Sequence, residues 1–108
     1  MTHRVVLTQD AQHDLAEIHD YLERHEVPGR ADAVLDRIDK ALESLSTLPE
    51  RGTHPKELIS LGIRAYREVR FKPYRMIYWI DEDLVVVMLI TDGRRDMQQL
   101  LQRRLLAD

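Results

Sequence analysis

A chain of 108 residues has room for one hydrophobic core, and 44% hydrophobic with 32% charged residues describes a folded domain spanning 1–108, not a disordered segment. The absence of cysteine excludes disulfides and thiolate metal sites and suits a reducing compartment. The net charge of −3 is unevenly laid out: residues 1–62 hold 7 Lys/Arg against 12 Asp/Glu, residues 63–108 hold 9 against 7, and within 63–80 the balance is 5 to 1.

Val5-Val6-Leu7 reads as a short first strand, followed by Thr8 as an N-cap whose hydroxyl accepts from a backbone N–H two or three residues on. Ala11, Leu15, Ile18 and Leu22 recur at helical spacing, with acids filling the other face. Val27-Pro28-Gly29 breaks this helix. A second carries its apolar stripe through Ala31, Val34, Leu35, Ile38, Leu42, Leu45 and Leu48, and Pro49, Gly52 and Pro55 end it. The short link predicts an antiparallel helical hairpin.

After a loop through Gly62 the period changes to 2. Residues 63–71 predict a strand in which Arg67 occupies a core-facing position. Lys72-Pro73 turns the chain into a second strand, Tyr74 to Ile80, and Asp81-Glu82-Asp83 turns it again into Leu84 to Thr91. That last run is apolar at almost every position, as in a central strand covered on both faces. Met97, Leu100, Leu101, Arg104 and Leu105 predict a short final helix. The expected fold is α+β: an N-terminal strand, an antiparallel helical hairpin packed on a small antiparallel sheet of a three-strand meander plus the first strand, and a C-terminal helix.

The opening Met1-Thr2-His3-Arg4-Val5 lacks the apolar run of a signal peptide, and the longest apolar stretch, Leu84 to Ile90, falls far short of the roughly 20 residues that span a bilayer. The expected location is therefore cytoplasmic, without membrane contact. His3, His13, His19, His25 and His54 show no i,i+4 pairing with one another, and no glycine belongs to a phosphate-binding loop, so neither metal nor cofactor is expected. Nucleophilic catalysis lacks a cysteine, and Ser44, Ser46 and Ser60 stand beside no base.

The arginines are the candidate chemistry. Tyr66-Arg67, Tyr74-Arg75 and Gly93-Arg94-Arg95-Asp96 come from three neighbouring sheet segments. In a meander, Arg67 and Arg75 are expected side by side with Arg95 at the end of the third strand. Three converging guanidiniums suit a phosphate, a transition-state oxyanion or a carboxylate-rich peptide, so direct nucleic-acid binding stays open. Tyr66, Tyr74, Ile77 and Trp79 beside them suit stacking on bases or packing on an apolar helix. The alternative has Arg75 and Arg95 paired with Glu68 or Asp96 and Trp79 filling core.

Ordered motifs run along nearly the whole chain: Leu7-Thr8-Gln9-Asp10-Ala11 with Asp14-Leu15 and Ile18-His19-Asp20-Tyr21, the Leu45 to Gly52 segment, Tyr66-Arg67-Glu68-Val69, Tyr74-Arg75-Met76-Ile77-Tyr78, and Gly93-Arg94-Arg95-Asp96. Together they resemble the ParE/RelE superfamily of bacterial type II toxins, and more closely its ParE branch, associated with inhibition of DNA gyrase. The resemblance implies a cognate antitoxin and gyrase as partners, with Tyr66, Arg67, Tyr74, Arg75, Ile77, Trp79, Arg94 and Arg95 as binding residues and an apolar groove between hairpin and sheet receiving the antitoxin. RelE-like relatives instead cleave mRNA in the ribosome. Their basic residues map to Arg67, Arg75 and Arg95, while Val69 stands near a second lysine's place and Leu101 near that of a late tyrosine. Without a general acid or base, proton transfer worth about 10²–10⁴ in rate is missing, which favours the non-enzymatic branch. A toxin-like binding module without toxic activity is the third reading.

Overall fold

The computed structural model describes residues 2–106. Strand β1 (Arg4–Leu7) leads into helix α1 (Gln9–His25), and the Thr8 hydroxyl accepts from the Ala11 N–H at 3.1 Å, capping the helix as the sequence predicts. Helix α2 (Arg30–Glu43) returns antiparallel to α1. Next come a 3₁₀ turn at Ser44–Ser46, a four-residue helix α3 (Lys56–Ile59), strands β2 (Tyr66–Phe71), β3 (Tyr74–Asp81) and β4 (Leu84–Asp92), and helix α4 (Met97–Leu106).

The four strands form one sheet in the order β1-β4-β3-β2, with β1 parallel to β4 and the meander antiparallel. The first strand therefore joins the edge of the meander, making β4 central. Both faces of β4 are covered, which explains its unbroken apolar run.

The sheet carries a core on each face. On the hairpin side, Ala11, Leu22, Val34, Ile38, Leu42 and Leu45 pack on Val69, Met76, Tyr78, Val85, Val87 and Ile90. On the opposite side, Leu58 of α3 and Met97 and Leu101 of α4 pack on Ile77, Met88 and Leu89. A β-bulge separates the two patterns. Ile77 pairs with Leu89 and Tyr78 with Val87, so Met88 is the extra residue. Both Met88 and Leu89 thereby reach the second core, and the hairpin-facing series 85, 87 resumes at 90.

Four sequence expectations change. The first strand pairs in parallel, so the sheet is mixed instead of wholly antiparallel, and β2 begins at Tyr66 instead of at residue 63. The second helix stops at Glu43 instead of running to Leu48, because the chain tightens into a 3₁₀ turn and the Ser44 hydroxyl donates to the Ala41 carbonyl at 2.6 Å. Leu48 lies in the following loop, 60% exposed. Helix α3 falls where the sequence predicts loop. Four residues carry too little periodicity to signal a helix, yet burial of Leu58 holds it on the sheet.

Candidate functional site

The arginines do not converge. The two-residue turn Lys72-Pro73 pairs Phe71 with Tyr74, and this register sets Arg67 opposite Tyr78 and Arg75 opposite Arg70. Cross-strand partners share a face, so Arg67 lies with Val69 and Tyr78 on the hairpin side while Arg75 lies with Glu68 and Ile77 on the other. The expected side-by-side pair is split by the sheet itself. The turn length, visible in the sequence, already carried that parity.

Arg67 lies on the hairpin-facing side of β2, as its place in the strand pattern predicts. At the sheet edge its guanidinium turns onto the loop before α3, donating to the carbonyls of Gly52 at 2.9 Å and Glu50 at 3.2 Å. Tyr78 holds the same loop, its hydroxyl donating to the Pro49 carbonyl at 2.6 Å and accepting from the Gly52 N–H at 3.1 Å. A Cβ on Gly52 would stand 2.5 Å from that hydroxyl and 2.7 Å from the Glu68 carbonyl oxygen, so only glycine lets the backbone approach. Burial pushes the Tyr78 phenol above its usual range.

Arg75 is buried and clasped by two carboxylates. It donates to both oxygens of Glu57 at 2.9 and 2.8 Å, and to both oxygens of Glu68 at 2.5 and 3.0 Å. Glu68 in turn accepts from Arg70 at 3.3 Å. Hydrogen bonding to Glu57 raises the Arg75 guanidinium against the opposing effect of burial, and the same bond holds the Glu57 carboxyl below its usual value. Gly93 lies on the aliphatic stem, where an added Cβ would meet Arg75 Cδ at 2.6 Å. With four of its five N–H donors engaged by carboxylates and its charge neutralised in a buried position, Arg75 is poorly placed to bind an incoming phosphate without breaking the clasp. The pairing with Glu68 is one the sequence suggests; Glu57 is not, because a glutamate in a helix of only four residues carries no signal that a strand eighteen positions later requires it.

The other residues fall into two groups. Tyr66 and Trp79 meet edge to face, centroids 5.9 Å apart, on the α4 side. They border a cleft of about 200 Å³ with Thr8, Asp10, Met88, Arg104 and Leu105, smaller than the roughly 300–1,000 Å³ of ordinary small-molecule pockets. Tyr74 faces the hairpin instead, and burial raises its phenol. Ile77 is fully buried in the second core, which takes it out of any contact surface in this conformation. The expected apolar groove between hairpin and sheet is filled by the hairpin's own side chains. Arg94 and Arg95 are exposed beyond the end of β4. Arg94 pairs with Asp92 at 2.6 Å, lowering that carboxyl. Among the described residues no carboxylate forms a salt bridge with Arg95, so the expected alternative pairing with Asp96 does not form.

A helical hairpin on one face of a four-strand mixed sheet, with a C-terminal helix on the other, is the architecture of ParE/RelE-superfamily toxins. A chain of the chromosomal ParDE system from P. aeruginosa superposes with a TM-score of 0.70 at 17% identity, covering 84% of this chain and 96% of that one. A chain of the RelBE2 toxin–antitoxin complex from Mycobacterium tuberculosis gives 0.58 at 24% identity, covering 85% and 99%. At such identities the likeness is one of fold. No curated protein matches the chain significantly in sequence. The model of the family described as the ParE toxin of the type II toxin-antitoxin system parDE matches residues 5–97, and the chain belongs to that family.

Proposed function

We propose that this protein inhibits DNA gyrase by direct binding and is neutralised by a cognate antitoxin. The supporting observation is the state of the arginines: the buried Arg75 is neutralised by Glu57 and Glu68, and Arg67 lies on the opposite face. An RNA-cleaving centre needs converging charge and a proton-transfer group, and the position nearest the ribonucleases' late tyrosine holds Leu101, buried in the second core. A toxin that works by contact needs neither. Both similar structures belong to toxin–antitoxin systems, which supports an antitoxin partner here. The accessible residues for such contacts are Tyr66 and Trp79 on the α4 side and Arg94 and Arg95 at the sheet end, the latter two suited to acidic segments. No described helix is long and apolar enough to cross a membrane.

The test is gyrase supercoiling with purified protein, with and without the antitoxin encoded beside it. Inhibition relieved by the antitoxin is expected. Full gyrase activity at high toxin concentration, together with codon-phased mRNA cuts after induction, overturns the reading in favour of a ribonuclease. Full gyrase activity with intact transcripts and harmless expression points to an inactive binding module.

A further inference from the structure

The hairpin brings together three donor side chains that lie apart in the sequence. We propose that His19, Glu23 and Asp32 bind a divalent transition-metal cation of the zinc class, which staples α1 to α2.

His19 and Glu23 stand one helical turn apart on α1, the i,i+4 spacing that places two ligands on one face. Asp32 sits in the first turn of α2 and is brought opposite them by the short loop. His19 Nε2 lies 3.3 Å from Asp32 Oδ1 and 3.8 Å from Glu23 Oε1, and the three ligand atoms lie within 4.8 Å of one another. Donors of a tetrahedral ion with bonds of about 2.0–2.1 Å stand about 3.3–3.4 Å apart. One pair is already at that separation, and the others close by adjustments open to partly exposed side chains.

Two further features fit a cation. The second imidazole nitrogen, Nδ1, faces Asp20 Oδ1 at 4.0 Å. That is longer than a hydrogen bond, and without an ion Nε2 is the nitrogen that donates, to Asp32 at 3.3 Å. An ion at Nε2 displaces that proton, and a small rotation of the exposed Asp20 then brings its carboxylate onto Nδ1–H, the usual support behind a ligating histidine. The charge is also unbalanced. Asp20, Glu23 and Asp32 surround one imidazole, and among the described residues none of the three has a Lys or Arg salt-bridge partner. An imidazole donor selects zinc, cobalt or nickel over magnesium and calcium, which prefer all-oxygen sites. The fourth position faces solvent.

The experiment is titration of the untagged full-length protein with zinc chloride by calorimetry, alongside thermal melts. Expected are one ion per chain with micromolar affinity, and a Tm rise of roughly 10–12 °C at about a 100-fold excess over Kd. His19→Ala, checked by circular dichroism for retained fold, loses at least about 100-fold in affinity, and Asp20→Asn loses about 10-fold as a residue acting through the imidazole. His13→Ala and His25→Ala keep the parent affinity. Absence of zinc binding, unchanged affinity in His19→Ala, or equal affinity for magnesium would overturn the site; the last would mark a diffuse acidic patch.

Discussion

Arg104 of α4 grips Asp14 of α1 through two parallel hydrogen bonds of 3.0 Å, joining positions ninety residues apart. The pair also completes the sheet. Strand β1 leaves β4 after Leu7, and beyond that point the Ile90 N–H donates to Asp14 at 2.9 Å while Arg104 donates to the Met88 carbonyl. Side chains thus satisfy backbone groups that the bulge and the short first strand leave without a ladder partner. Asp14→Ala removes three bonds at once from a site where the two side chains are 11% and 20% exposed. The expected loss is about 2–4 kcal/mol, seen as a Tm drop of roughly 8–15 °C. Arg104→Leu leaves the Ile90 N–H satisfied and should cost about half as much.

The Arg75 clasp makes a pH prediction. The folded-state value of Glu57 lies below its ordinary 4.5, so its stabilisation is complete above the unfolded value and is lost as pH falls through the lower folded value. Glu57→Gln should therefore cost about 1–3 kcal/mol at pH 7, and the gap to the parent protein should close below about pH 4. Urea melts of both proteins from pH 7 to pH 3 measure it. A gap independent of pH refutes the clasp. Arg75→Ala should be worse, about 3–5 kcal/mol, because Glu68 is left charged and buried.

Gly52 and Tyr78 should couple energetically. Gly52→Ala forces a Cβ against the Tyr78 hydroxyl and the Glu68 carbonyl, with an expected cost of about 1–3 kcal/mol. Tyr78→Phe leaves the buried Gly52 N–H unsatisfied at a cost of about 1–2 kcal/mol, but removes one of the clashing atoms. The double variant should be more stable than the sum of the singles by about 0.5–1 kcal/mol. Strict additivity in denaturant melts would contradict the contact.

Arg95 separates folding from function. It is exposed and, among the described residues, outside every salt bridge, so Arg95→Ala should leave the melting curve unchanged while weakening growth arrest on induction. Undiminished arrest by the folded variant removes Arg95 from the target surface.

The hairpin and the meander were legible because their signals are local. Ala11, Leu15, Ile18 and Leu22 mark a helix face within four turns, Thr8 marks its start, and the change to period 2 after Gly62 marks the strands. Helix α3 was not legible, since Leu58 and Glu57 act only through residues of the sheet. Nor was the His19–Asp32 approach, which depends on how one helix returns along the other.

By itself, then, the sequence determined the order and type of the long elements, and through its ordered motifs the family, because periodicity, caps and turns are read over a few neighbouring residues. Only the tertiary structure decided what the arginines do. Strand register put Arg67 and Arg75 on opposite faces, and the bulge at Met88 moved β4 out of simple alternation. The clasp on Arg75 closes with a carboxylate from a separate helix. A charge is free or occupied according to what long-range packing places beside it, and no local pattern encodes that neighbour.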